Sequence, residues 1–351
     1  MNFLSDNAAP IAPAVLEAIV QANDGFAIAY GDDEWTRSVE RQVSELFERE
    51  VAAFLVPTGT AANALALAHR TPPWGAVLCH ADSHIATDEC GAPEFFGGGL
   101  KLIGLSGQDG KVTAEMLKGA LRDNFGHSPH QMIASALSIT QASEAGTVYR
   151  LDEIAALCEI ARERALVVHM DGARFANALV RLDATPAQIT WQSGVDVLSF
   201  GATKAGALAA EAVVFFNSAQ AAFMAERRKR AGHLLSKHRF LAAQFAAILA
   251  EGRWLALARH ANLMADRLSG KLTAAGLAPV WPVEANLVFV VLPRALDARL
   301  KTAGARYYGR TSTSLNLGPD QILARLVTSF ATQEDEIDRF AHLCKADSSI
   351  L

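Results

Sequence analysis

The stretch Val195-Asp196-Val197-Leu198-Ser199-Phe200-Gly201-Ala202-Thr203-Lys204-Ala205-Gly206-Ala207 decides the reading of the whole chain. Its first half is a short apolar run of the kind a buried strand makes. Its second half is a turn of tiny residues with a single lysine in the middle. Gly201, Ala202, Ala205 and Gly206 put almost no bulk beside Lys204, so backbone can come close to a bound molecule. A dry, tight turn lowers a lysine's pKa, because burial disfavours the charged form, and the neutral amine is a nucleophile for aldehydes. Taken alone, the stretch also fits a surface lysine that follows a strand.

A second stretch shifts the balance. Leu166-Val167-Val168-His169-Met170 is another short apolar run, and Asp171-Gly172-Ala173-Arg174 follows at once. In an open parallel sheet, ligands bind outside the carboxyl ends of the strands. Asp171 and Lys204 would both sit at such ends. A lysine that holds an aldehyde and a carboxylate that keeps a pyridine nitrogen protonated are what pyridoxal phosphate (PLP) needs. Asp171 alone could instead cap the helix expected from Ala173 to Leu182, but a cap leaves Gly172 and Arg174 unexplained.

The chain has 351 residues, of which 51% are apolar, enough for two domains or one large one with an appendage. A net charge of −5 gives no reason to expect nucleic acid or an anionic membrane as partner. Cys79, Cys90, Cys158 and Cys344 form no CxxC pair, which points to a reduced, cytoplasmic protein. The longest apolar run, 205–216, is interrupted by Glu211 and is too short to span a bilayer.

In chain order, residues 1–33 read as an N-terminal arm with one helix after Pro13, and 34–50 as an amphipathic helix with Val39, Val43, Leu46 and Phe47 on one stripe. A strand at 52–56 turns through Pro57-Thr58-Gly59-Thr60 into a helix, a phosphate cradle or a plain cap. Strands are expected at 76–80, 101–105 and 130–140, and helices at 113–121 and 151–164. The alternation from 52 to 216 argues for a mostly parallel α/β sheet. His80, Asp82 and His84 lack a further cluster at metal-ligand spacing, so no metal is expected; His84 could instead stack on a cofactor ring or bond to backbone. Beyond Phe216 come helices at 219–232, 234–251 and 254–275. Strands at 287–292 and 324–330 and helices at 294–303 and 333–344 then make a smaller α+β domain. This divides the chain into the arm (1–33), a large cofactor domain (34–235) and a small C-terminal domain (236–351). Arg227-Arg228-Lys229-Arg230 reads as a solvated helix face. Arg325, on an apolar segment, needs a partner: either a ligand carboxylate, which a guanidinium binds through two parallel hydrogen bonds, or a structural ion pair.

These motifs, in this order, resemble the threonine aldolase family of PLP enzymes with the aspartate-aminotransferase fold. The resemblance rests on Ser5-Asp6, Tyr30-Gly31-Asp32-Asp33, Thr58-Gly59-Thr60, Ser83-His84-Ile85 with Glu89, His130, His169-Met170-Asp171-Gly172-Ala173-Arg174, Gly201-Ala202-Thr203-Lys204 and Arg325-Leu326-Val327-Thr328. It implies that Lys204 carries PLP, with Thr203 beside it, that Asp171 pairs with the pyridine nitrogen, and that Gly59 and Thr60 hold the phosphate. It further implies that His84 stacks on the ring, that Ser5, Arg174 and Arg325 hold the substrate carboxylate, and that His130 sits near the substrate hydroxyl. The reaction implied is reversible retro-aldol cleavage of L-threonine, L-allo-threonine or L-phenylserine to glycine and an aldehyde, with His84, His130 or water as base. An aminotransferase or decarboxylase on the same fold is the alternative. The family resemblance also implies a dimer or tetramer whose sites lie between subunits, with Tyr30–Asp33, Arg230 and Lys237 coming from the neighbour. Three departures from the family pattern bear on substrate breadth: Glu34 after the paired acids, Ala205 after Lys204, and the segment Tyr307–Pro319.

Overall fold

The computed structural model describes residues 1–310 and 315–345. Its centre is a seven-stranded sheet built from β1 (Ala52–Val56), β2 (Gly75–His80), β3 (Lys101–Leu105), β4 (Ile133–Thr140), β5 (Val167–Gly172), β6 (Val197–Gly201) and β7 (Glu211–Phe215). The order is β1-β7-β6-β5-β4-β2-β3. The neighbours from β6 to β3 pair in parallel, whereas β7 runs antiparallel to both β1 and β6. β1 therefore points the same way as β6, and the carboxyl ends of β1, β2, β4, β5 and β6 share one edge. β2, β6 and β7 are buried along their whole length, as expected of strands covered on both faces by helices.

The second sheet is small and antiparallel: β8 (Leu287–Pro293), β10 (Gln321–Val327) and β9 (Tyr308–Arg310), in that order. Helices Arg294–Thr302 and Glu334–Lys345 pack against it. This is the mostly parallel α/β body with a smaller α+β unit that the alternation of strands and helices implied. Residues 311–314, part of the divergent segment Tyr307–Pro319, lie outside the described residues.

Packing crosses two of the expected boundaries. The arm is not free, because Phe3 is fully buried in the small sheet's core and meets Phe340 edge to face at 5.2 Å. The large core also continues past residue 236, since Phe245 and Trp254 pack on Phe200 with ring centroids 5.5 and 5.4 Å away. Phe47 and Phe175 complete that aromatic cluster. It clamps the last turn of β6, and so fixes where the Lys204 turn begins. The stretch Arg239–Ala274 is long and apolar enough to cross a bilayer. It is nevertheless two helices, Arg239–Leu249 and Arg253–Ala274, broken by left-handed backbone at Glu251 (φ 57°) and Gly252 (φ 66°). Their apolar faces are covered by protein: Leu241, Phe245 and Trp254 by the large core, and Met264, Leu268 and Leu272 by the small one.

Helix starts follow the local chemistry. Asp33 caps the helix Glu34–Leu46 by accepting from both the backbone N–H and the hydroxyl of Thr36, each at 2.9 Å. Thr58 caps Gly59–Arg70 by accepting from Ala61 N–H at 3.1 Å. Asp171 does not cap the helix that follows it, which starts only at Phe175. It is the penultimate residue of β5, and its Oδ1 accepts from Ala173 N–H at 3.0 Å.

Candidate active site

A cavity of about 560 Å³ opens where β1, β5 and β6 end, a size suited to a cofactor. Thr58, Gly59, Thr60, Asn63, His84, Glu89, Asp171, Thr203 and Lys204 line it. Most residues read as cofactor ligands from the sequence therefore meet in one place.

The crowding of β5 against β6 explains the two glycines at their ends. A Cβ on Gly172 would come within 2.7 Å of Ser199 O, and one on Gly201 within 2.9 Å of Ala173 Cα. These glycines serve strand against strand rather than a ligand. Gly59 is the opposite case: a Cβ there would meet nothing within 4 Å, so the space above the helix start is open. The free N–H groups of Gly59–Arg70 face that space, which suits an anion.

Lys204 sits in a single turn of 3-10 helix, Thr203–Ala205, that Gly206 ends with φ 113°. Beneath it lies a residue that sequence reading took only as an interruption of an apolar run. Glu211 is buried at the start of β7, and its Oε2 accepts from Ala202 N–H at 3.1 Å. Burial lifts its pKa to about 7. Burial, and then the positive charge of Arg174, push the Lys204 amine below its ordinary value, toward the neutral nucleophile.

Asp171 is buried, and Asn63 Nδ2 donates to its Oδ2 at 2.9 Å. The same amide donates to Glu89 Oε1 at 2.8 Å, and His84 Nδ1 lies 2.8 Å from that same oxygen. The hydrogen bond to Glu89 raises the pKa of His84. Burial raises that of Glu89. Two atoms of this network, Asn63 Oδ1 and Glu89 Oε2, are buried without a partner among the described residues. Asn63 is a missed site residue, and its signal is legible afterwards: it is the lone polar residue in the buried run Ala61–Ala68. Behind the cavity, His169 bridges Ser138 (2.8 Å) and Ser199 (2.9 Å), and burial lowers its pKa to about 4. A neutral imidazole there ties β4, β5 and β6 together.

Arg174 lines neither this cavity nor the one that Arg325 lines, and it is already paired. Asp6 accepts from its Nε at 3.1 Å and its terminal nitrogen at 2.8 Å, with both side chains 2% exposed. Asn286 donates to the same carboxylate at 2.8 Å. Ser5 serves the backbone, its hydroxyl accepting from Asn7 N–H at 3.2 Å. Burial alone would raise the Asp6 pKa, but the Arg174 guanidinium wins and holds it at about 2. Because that value lies below the ordinary 3.8, the pair stabilises the fold above pH 4 and ceases to do so as pH falls through about 2. The difference is on the order of 2 kcal/mol. Acid unfolding followed by circular dichroism should therefore show Asp6→Asn losing the part of the transition between about pH 4 and 2 that wild type displays.

Arg325, on β10, is buried with its Nε unpaired, and has no hydrogen-bond or ion-pair partner among the described residues. Burial, then the charge of Arg174, depress its pKa to about 10. It lines a second cavity of about 720 Å³ between the two sheets, which meets the first at Asp88. A ligand carboxylate fits it better than a structural ion pair, since no acid among the described residues has taken that place.

His130 is not brought to the site. It stands exposed in the turn before β4, its N–H donating to His127 O at 2.7 Å. β4 runs eight residues from there to the site edge, roughly 25 Å at the rise of a strand. The strand expected from His130 begins instead at Ile133, where the N–H pairs with Trp74 O. Within this chain His130 cannot reach a substrate hydroxyl bound near Lys204.

PLP fits the pocket: a desolvated lysine without a hydrogen-bond partner among the described residues, a buried carboxylate, an open helix N-terminus, and polar atoms in the wall that none of the described residues pairs. Comparison with known proteins agrees. The family model for beta-eliminating lyases matches residues 2–295. A low-specificity L-threonine aldolase from Pseudomonas sp. (strain NCIMB 10558) is 41% identical over 97% of this chain and 96% of its own length. The protein of the same description from Pseudomonas aeruginosa is 43% identical over 88% of each. Among solved structures, Leishmania major threonine aldolase superposes with a TM-score of 0.92 at 30% identity over 98% of both chains. Sphingomonas wittichii serine palmitoyltransferase shares the fold alone, with a TM-score of 0.71 at 14% identity. The chain belongs to the beta-eliminating lyase family and, within it, stands with the low-specificity L-threonine aldolases.

Proposed function

We propose that this protein cleaves L-β-hydroxy-α-amino acids, L-threonine and L-allo-threonine among them, to glycine and an aldehyde, reversibly and with PLP as cofactor. The observation that carries this reading is the meeting of Lys204, Asp171 and the Gly59 helix start on one cavity, in a chain so similar to named aldolases. Once bound, the cofactor supplies an aldehyde for the substrate amine and a ring that takes up the electron pair of a bond breaking at Cα.

The chain's own residues do the rest. Lys204 would hold the cofactor by its aldehyde. Gly59 and Thr60 would bind the phosphate through backbone N–H groups and hydroxyl, with Thr203 beside them. Asp171, kept in place by Asn63 and Ala173 N–H, would keep the pyridine nitrogen protonated. His84, its Nδ1 2.8 Å from Glu89 Oε1, would pack against the cofactor ring. Arg325 grips the substrate carboxylate, while Arg174, neutralised by Asp6, supports it from behind. Gripping the carboxylate would fix the orientation of the Cα–Cβ bond, and that orientation would select the bond that breaks.

A second copy of this chain completes the picture. The segment from Gly25 to Gly31 lies along residues 229–239. Tyr30 N–H donates to Ser236 O at 2.9 Å, and Lys229 Nζ stands 4.4 Å above the Tyr30 ring. Phe26, Ile28 and Tyr30 are exposed there beside Arg230 and Lys237. An apolar patch rimmed by cations suits burial against a copy of the same chain and delivery of its cations to the neighbour's site. The four free thiols suit a reducing, cytoplasmic setting.

The test is product analysis. PLP-loaded protein incubated with L-threonine, L-allo-threonine or L-phenylserine should release glycine and aldehyde in equal amounts. A keto acid or carbon dioxide in place of glycine would move the activity to an aminotransferase or decarboxylase. In the same assay Arg325→Ala should raise KM by about 10- to 100-fold, the worth of a charge-assisted carboxylate contact. An unchanged KM would make Arg325 a structural residue.

A further inference from the structure

One acid of the site has no task in this scheme. Glu144 stands on the loop that leaves the carboxyl end of β4, and that loop is tied on every side. Gln141 N–H donates to Asp171 O at 2.8 Å, and the Gln141 side chain exchanges two bonds of 2.9 Å with the backbone of Tyr149. Ser143 N–H donates to Thr147 O at 2.9 Å, and the two hydroxyls lie 2.7 Å apart. Thr147 Oγ1 donates to Asp109 O at 2.6 Å. Gly146, with φ 82°, closes a turn onto Ser143 O at 2.9 Å. Glu144 stands inside that turn, and it alone of residues 141–149 is not buried. The loop is built to hold one side chain outward.

That side chain opens on the cavity of Arg325, which meets the Lys204 cavity at Asp88. It lines the interdomain cavity together with Arg325 and Asp88. Its negative charge acts on His84, Arg174, Lys204 and Arg325. It has no hydrogen-bond or ion-pair partner among the described residues. A carboxylate that is rigidly presented, unpaired and open to the cavity is free to accept a proton from a bound molecule. The other candidates are weaker: His130 lies at the far end of β4, and His84 has spent Nδ1 on Glu89, which favours its protonated form.

We propose that Glu144 is the general base that takes the proton of the substrate's β-hydroxyl. The assignment rests on the retro-aldol reading. In the step, the hydroxyl proton passes to the Glu144 carboxylate. The O–H electron pair becomes the second bond of the new aldehyde C=O. The Cα–Cβ bond breaks, and its pair stays with the Cα fragment, which takes a proton to become glycine. Glu144 then yields its proton to water as the aldehyde departs.

The test separates the hydroxyl from the rest of the chemistry. Glycine carries no hydroxyl, so exchange of its α-hydrogen with D2O, followed by proton NMR, needs Lys204 and the cofactor but no base at Cβ. In the holoenzyme, Glu144→Gln should lower kcat for L-threonine cleavage by about 10²–10⁴-fold. It should retain glycine exchange, and it should retain glycine affinity as read from the visible absorbance of the bound cofactor. Glu144→Asp, which keeps the carboxylate on a shorter arm, should recover part of the cleavage rate, and it stands in if the amide variant does not fold. Cleavage at the wild-type rate in Glu144→Gln overturns the proposal. So does loss of cleavage and glycine exchange together, which would make Glu144 a positioning residue. Wild-type holoenzyme that exchanges glycine but releases none from L-threonine would instead remove the retro-aldol reading, and the base with it.

Discussion

Lys204→Ala will yield a folded protein without the visible absorbance of bound cofactor and with glycine release from L-threonine reduced by at least about 10³-fold. The size of the effect follows from the geometry. Lys204 is the lysine on the cavity wall, and burial holds its amine toward the neutral form that attacks an aldehyde. The fold should survive, because the turn is held by other atoms. Ala205 N–H donates to Ala202 O at 3.0 Å, Gly206 N–H to Thr203 O at 3.1 Å, and Ala202 N–H to the buried Glu211 carboxylate. Lys204→Arg should behave like the alanine variant, since guanidinium stays protonated and is no nucleophile. Absorbance and denaturation measured on the same sample decide the case. An unchanged visible spectrum in a folded Lys204→Ala protein would place the cofactor's anchor elsewhere.

How far the sequence alone reached can be argued from individual residues. Lys204 and Asp171 were legible because each ends a short apolar run, and a parallel sheet gathers such ends on one edge. Gly59 and Thr60 were legible because a strand, a hydroxyl and a glycine before a helix make an anion cradle. Arg325 was legible as a charge on a buried strand. Partnerships across long separations were not. Ser5 and Asp6 are adjacent, and only the folded chain shows that Asp6 meets Arg174 while Ser5 turns to its own backbone. Glu211 looked like a flaw in an apolar run and is an anchor beneath the lysine turn. His130 stands at the amino end of β4, away from the Lys204 cavity of its own chain, and the strand starts at Ile133, three residues later than expected. Glu144 carries no local signal, since its meaning lies in the bonds that its neighbours make.

Asp171→Asn should lower kcat by about 10²–10³-fold while the cofactor remains bound, because the substitution removes a charge that stabilises developing charge in the ring and leaves Lys204 in place. The surrounding hydrogen bonds make the prediction sharper. The two carboxylate oxygens now accept from two donors, Ala173 N–H and Asn63 Nδ2. An amide at this position can accept from only one of them and must present its NH2 to the other. If Ala173 keeps its acceptor, Asn63 must turn its own Oδ1, at present unpaired, toward the new NH2. Turning Asn63 withdraws Nδ2 from Glu89, which then holds His84 without its second donor. The variant should therefore change more than one property: a lower kcat from the lost charge, and a shifted His84 titration, visible by NMR, from the rearranged Glu89. Asn63→Ala separates the two effects, since it disturbs Glu89 and His84 but leaves the Asp171 charge intact, and its loss of kcat should be the smaller. A holo Asp171→Asn enzyme with wild-type kcat would show that the ring nitrogen has no need of this carboxylate, and Asp171 would then be a strand-end residue that serves only Ala173 and Asn63.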